Sequence, residues 1–133
     1  MQGRVLTIDR SKWRVGGSGR ELCSLKGYTK LLNEKGMMCC LGFDSLACGF
    51  TANEIGGRFY PSGLARDKSG AAKAKARIPH LITFEDDFCR ESEFAQRAIE
   101  INDGRLSASS REKKLKEHYA TIGVTVEFTG EYQ

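Results

Sequence analysis

The segment Met38-Cys39-Cys40-Leu41-Gly42-Phe43-Asp44-Ser45-Leu46-Ala47-Cys48-Gly49-Phe50 decides how this chain folds. Cys39, Phe43, Leu46 and Phe50 fall at i, i+4, i+7 and i+11, the spacing of one apolar helical stripe. A helix entered near Cys39 and packed into a core is the expectation. Gly42 and Gly49 lie beside the stripe. A glycine inside a helix costs about 1 kcal/mol relative to alanine, so these two predict close approach by another backbone.

Upstream, Leu31-Leu32, then Asn33-Glu34-Lys35-Gly36, then Met37-Met38 reads as a hairpin with glycine at the last turn position. Residues 4 to 8 alternate as a first strand. Asp9 and Ser11 are possible caps for a short turn carrying Trp13, and Gly16-Gly17-Ser18-Gly19 ends regular structure. Downstream, Thr51-Ala52-Asn53-Glu54 is a capping-box pattern that predicts a helical turn ending at Gly56-Gly57. From Arg58 to Pro79 periodicity is lost, and residues 61–78 are expected to form a flexible basic loop. Ser92 opens a helix with Phe94, Ala95, Ala98, Ile99 and Asn102 on one side, closed by Gly104 as a left-handed residue. Ser109 opens another, with Leu115, His118, Tyr119 and Ile122 inward and a Glu112–Lys116 ion pair outward. Val124, Val126 and Phe128 then alternate with polar residues as a half-buried strand.

The sum is an α+β fold in a single domain over residues 1–133, with three or so helices on a small, mostly antiparallel sheet. The 133 residues are 40% apolar with a net charge of +4, enough to bury a core without metal or disulfides. No stretch approaches the roughly 18 apolar residues of a membrane span. The first residues lack the apolar core of a secretory signal, and the five cysteines are odd in number without framework spacing. A cytoplasmic protein with free thiols, no membrane partner and no specific duplex-DNA binding is expected.

Candidate chemistry is sparse. Cys39 or Cys40 at a helix start could be a nucleophile, with His80 or His118 as base, but neither histidine has a protease-like context. Metal ligation lacks C-x-x-C and H-x-x-x-H spacing, so no metal and no cofactor are expected. Arg66, Lys68, Lys73, Lys75 and Arg77 could close over an anion. Arg14, Gly17, Gly19 and Arg20 form a second anion-binding candidate through backbone amides and charge. Trp13, Phe59 and Tyr60 are the aromatics available to stack a base. Each has a plain alternative: buried structural thiols, a solvated basic surface, an ordinary glycine turn.

Trp13, the Gly-rich segment after it, Leu31-Leu32, the Cys39-Cys40-Leu41-Gly42 helix start and Asn102-Asp103 before the last helix together resemble small proteins of tailed bacteriophages. The resemblance covers about half the chain in pieces and omits Gly56 to Arg90. That family has no assigned activity, so it transfers no catalytic residue. It implies a phage accessory protein acting by binding. The expectation is therefore a non-catalytic protein that sequesters a phosphorylated small molecule, such as a nucleotide immune signal, with a homo-oligomer as a candidate assembly. A protein-binding inhibitor of a host defence enzyme such as a CRISPR effector, and a thiol-dependent hydrolase, are the alternatives.

Overall fold

The computed structural model describes residues 3–15, 31–33, 35–66, 68–85 and 88–132. Strand β1 (Val5–Asp9) buries Leu6 and Ile8 and exposes Val5 and Thr7, the two-residue period of a half-covered strand. It pairs with β4 (Thr125–Thr129), Leu6 opposite Val126 and Ile8 opposite Phe128. The pair is parallel. Parallel neighbours need a long crossover, and nearly the whole chain supplies it. The antiparallel pair is elsewhere: β2 (Ile82–Phe84) with β3 (Cys89–Glu91).

Five α-helices lie among the described residues: α1 (Cys40–Ala47), α2 (Ala52–Ile55), α3 (Lys68–Arg77), α4 (Glu93–Asp103) and α5 (Ala108–Ala120). The architecture is α+β. Helix α1 packs on β1 and α4, and α5 packs on α4 and β4. Helix α3 packs on a 3₁₀ turn at Pro61–Ala65, which also meets β3. No described helix is long and apolar enough to cross a membrane.

Several local expectations hold. Asp9 caps a 3₁₀ turn at Arg10–Lys12 by accepting from the Ser11 amide. Thr51 and Glu54 form the full capping box of α2. Ser92 caps α4 through the Ala95 amide. Gly42 is where another backbone comes close: a Cβ there would sit 1.9 Å from the Leu31 carbonyl oxygen. Gly49 serves a different purpose. It follows the α1 C-cap with φ +110°, a conformation that L side chains rarely adopt.

Others are corrected. The expected hairpin is only a turn: the Gly36 amide donates to the Asn33 carbonyl, while Leu32 pairs with Gly56 and Met38 with Trp13. The buried face of α1 carries Cys40, Leu41, Asp44 and Ser45, whereas Phe43 and Leu46 are half-buried. Two polar residues at core positions hid that face from a reading based on apolar spacing. Gly104 has φ −76° and is extended. Glycine is needed there for space, since a Cβ would lie 2.7 Å from the Glu100 carbonyl oxygen. The cap of α5 is Ser107 rather than Ser109. Glu112 turns from Lys116 to Arg10, which it meets twice at 2.8 Å, while Lys116 lies over the Phe128 ring.

The expected loop at 61–78 is mostly helical. Ala71, Ala72, Ala74 and Ala76 give α3 high intrinsic helix propensity. Its small buried side, centred on Ala74, leaves no conspicuous apolar stripe in the sequence.

Candidate ligand-binding surface

The most exposed aromatic side chains of the described residues cluster around the 3₁₀ turn and the β2–β3 hairpin. Phe59 is 38%, Tyr60 40% and Phe88 59% exposed. Pro61 opens the 3₁₀ turn and is buried with Leu64 and Ala65, so the turn is anchored from beneath while its other face stays open. Two clefts flank it. One, of about 510 Å³, includes Arg66, Lys75, Phe84 and Phe88 in its lining. The other, of about 430 Å³, is lined by Arg58, Phe59, Tyr60 and Arg66 among others. Ser62, Gly63 and Arg66 line both. Aromatic faces beside guanidinium and ammonium groups suit a ligand with a planar ring and a negative charge.

The structure brings four of the sequence-derived candidates together here, namely Arg66, Lys75, Phe59 and Tyr60. It places the others elsewhere. Lys68 is exposed at the first turn of α3. Lys73 turns to α2, with Nζ 2.8 Å from Glu54 Oε1 and 4.7 Å from the Phe50 ring centroid. Its hydrogen bond is the first of the contacts that hold the Glu54 carboxyl below its ordinary pKa. The Arg77 side chain packs beside Gly49. The Arg14 backbone bridges to Met38 and Asn102. Trp13 is fully buried against Phe128, ring centroids 5.2 Å apart, so it is a core residue and not a stacking surface. Gly17, Gly19 and Arg20 lie outside the described residues. Phe88 stands alone in the sequence and Arg58, though it precedes Phe59-Tyr60, lies apart from the basic run that begins at Arg66; only the fold puts both beside Arg66.

Two buried polar centres hold the scaffold. Asn102, 1% exposed, accepts from Trp13 Nε1 at 2.7 Å and from the Cys40 amide at 2.9 Å, and donates to the Arg14 carbonyl at 3.1 Å. Cys39, the α1 N-cap, makes no side-chain cap, so Asn102 reaches across from α4 to satisfy that helix start. The tryptophan, the Cys-Cys-Leu-Gly helix start and the Asn-Asp pair thus meet at one structural junction. Cys39 and Cys40 are buried there. Burial pushes the Cys40 thiol well above its ordinary pKa, and the thiol donates to the Ala98 carbonyl. That environment suits an inert cysteine.

The second centre is Asp44, fully buried on α1. Tyr119 Oη donates to Oδ2 at 2.8 Å, His80 Nε2 lies 2.8 Å from Oδ2, Arg4 Nη1 lies 3.0 Å from Oδ1, and Cys48 Sγ donates to Oδ1 at 3.4 Å. Burial acts to raise the Asp44 carboxyl, but the His80 hydrogen bond and charge, then Arg4 and Tyr119, outweigh it and leave the group below its usual pKa of 3.8. Burial, with Asp44 next, pushes the Cys48 thiol up to about 12, against the pull of Arg4 and Arg77. Burial and Asp44 likewise push the Tyr119 hydroxyl well above 10. These groups come from four separate parts of the chain, and no local spacing could have linked them.

Comparison with known proteins found no matching family model, no matching curated protein and no matching solved structure.

Proposed function

We propose that this protein binds a phosphorylated, ring-bearing small molecule of the nucleotide class on the surface around Arg66, and holds it without chemical turnover. One observation carries the reading: two adjoining clefts of ligand size share Arg66 and set the exposed Phe59, Tyr60 and Phe88 beside Arg58 and Lys75. Volumes of about 300–1,000 Å³ are typical of small-molecule sites. An aromatic face is worth about 1–3 kcal/mol per stacked base, and a guanidinium offers paired donors to phosphate. The buried thiols of Cys39 and Cys40 favour binding over thiol catalysis. In this reading the protein acts by sequestration, and the phage resemblance supplies the setting, withdrawal of a host nucleotide signal.

Titration calorimetry of the full chain against nucleosides, mononucleotides and dinucleotides at two salt concentrations tests this. Saturable binding that requires phosphate and weakens with salt is the expected result, with Tyr60→Ala reducing the dependence on the base. Absence of binding to every member of the panel contradicts it. The same aromatic residues would then be read as the contact face for a protein partner.

A further inference from the structure

We propose that Asp44, Cys48 and His80 form a binding site for a single zinc ion. Their ligating atoms, a carboxylate oxygen, a thiol sulfur and an imidazole nitrogen, all lie within 4.8 Å of one another. Asp44 and Cys48 stand four residues apart, at the end of α1 and its C-cap, so one helical face carries both. His80 arrives from the turn between α3 and β2. Tetrahedral zinc with bonds of about 2.0–2.3 Å spaces its ligand atoms about 3.3–3.8 Å apart. The three donors, at most 4.8 Å apart, therefore need to close by no more than about 1.5 Å, within the reach of side-chain rotations.

The hydrogen bonding shows how an ion would enter. Cys48 points its S–H at one oxygen of Asp44. His80 Nε2, 2.8 Å from the other oxygen, carries its proton toward it. The thiol and the imidazole thus meet different oxygens of the Asp44 carboxylate; a divalent cation would displace the thiol proton to solvent, and the imidazole would keep its proton by shifting it from Nε2 to Nδ1. One thiolate and one carboxylate cancel the charge of Zn²⁺ with a neutral imidazole as third ligand, and the Arg4 guanidinium beside Asp44 adds one positive charge. This mixed sulfur, nitrogen and oxygen set suits zinc rather than calcium or magnesium, which prefer all-oxygen ligands.

Tyr119 would keep its contact to Asp44 as an outer partner that orients the ligating carboxylate, while Arg4, with Nη1 3.0 Å from Asp44 Oδ1 and Nη2 3.4 Å from His80 Nε2, would have to turn from the imidazole for an ion to reach that nitrogen. Three protein ligands would leave a fourth position for water or another small ligand, and Cys48 is only partly buried. The site is separate from the Arg66 clefts and does not depend on the ligand proposed for them.

The test is titration of the full reduced chain with cobalt(II), read by visible absorption, followed by displacement with zinc. One equivalent of cobalt with a thiolate charge-transfer band is expected. The band should vanish in Cys48→Ser, and affinity should fall at least tenfold in His80→Gln, with both variants folded by circular dichroism. A parent protein that takes up no cobalt overturns the proposal, as does a band retained in Cys48→Ser, which would place the metal on other cysteines. Undiminished affinity in His80→Gln overturns it equally. If Cys48→Ser fails to fold, alkylation of the parent with iodoacetamide, read by peptide mass, decides. Zinc should slow labelling of Cys48 at least tenfold and leave Cys89 unchanged; equal labelling of Cys48 with and without zinc contradicts the site.

Discussion

The Asp44 and Asn102 centres and the surface around Arg66 are both rich in polar and aromatic groups, yet they are built in opposite ways. In the buried centres one acceptor gathers several donors. Asp44 meets four side chains, and one oxygen of Asn102 serves Trp13 and the start of α1. At the surface the aromatic groups lie open beside cations. A buried polar group without partners is costly, so the first arrangement is what holding a fold requires. Exposed aromatics beside charge contribute little to a fold and are better suited to recognition. The difference separates residues that position the scaffold from residues that, in the function proposed above, would meet a nucleotide-class ligand, although both kinds read as scattered polar and aromatic positions in the chain.

The largest effect is expected at Asp44. Asp44→Ala removes the counter-charge of Arg4 and orphans Tyr119 Oη, and breaking a buried pair from one side costs about 3–5 kcal/mol. Urea unfolding followed by circular dichroism should show that loss or the absence of a folded state. A variant as stable as its parent would mean that the buried cluster does not hold the fold.

Asn102→Ala comes next. It leaves Trp13 Nε1 and the Cys40 amide unsatisfied, at about 1–3 kcal/mol for each donor. Native iodoacetamide labelling of Cys39 and Cys40, slow in the parent, should accelerate as the α1 start frays. Unchanged labelling together with an unchanged unfolding midpoint would show that the junction is dispensable.

Acid should expose the same cluster more gently. The Asp44 pKa is depressed in the folded state, so its contribution is complete above the unfolded value of about 4 and is lost as pH falls through the lower folded value. Stability measured from pH 5 downward should decline below about pH 4, and Asp44→Asn, if folded, should decline less steeply. Equal slopes would assign acid unfolding to other carboxylates, of which Glu112, lowered first by its Arg10 hydrogen bond, is the next to test.

The strands and caps were legible because they obey local rules. Val126 and Phe128 alternate with polar residues, and Thr51-x-x-Glu54 spells its own cap. The α+β class follows from such segments. The parallel pairing of β1 with β4 was not legible, since both strands alternate equally well for either direction and only the crossover through the whole chain decides it. The buried face of α1 was misread because Asp44 and Ser45 are polar; Asp44 enters the core where Arg4 and Tyr119 await it, and Ser45 Oγ is buried there without a hydrogen-bond partner among the described residues. Lys73 and Trp13 show the same limit at the site: each has the right chemistry for a ligand, and each is engaged within the protein by Glu54 or Asn102. Arg66, Lys75, Phe59 and Tyr60 were found from charge and aromaticity alone, but Arg58 and Phe88 needed the fold.

The smallest expected effect on stability is also the most direct test of the account, measured on the Arg66→Ala/Lys75→Ala double variant. Exposed surface substitutions usually change stability by no more than about 0.5 kcal/mol, so its urea midpoint should match the parent. In the same preparations, calorimetry with the tightest-binding nucleotide should show affinity reduced at least about a hundredfold, as expected for losing two charge-assisted contacts worth about 1.5–3 kcal/mol each. A double variant that binds as tightly as the parent, or that loses stability along with affinity, would contradict the assignment of this surface to a ligand.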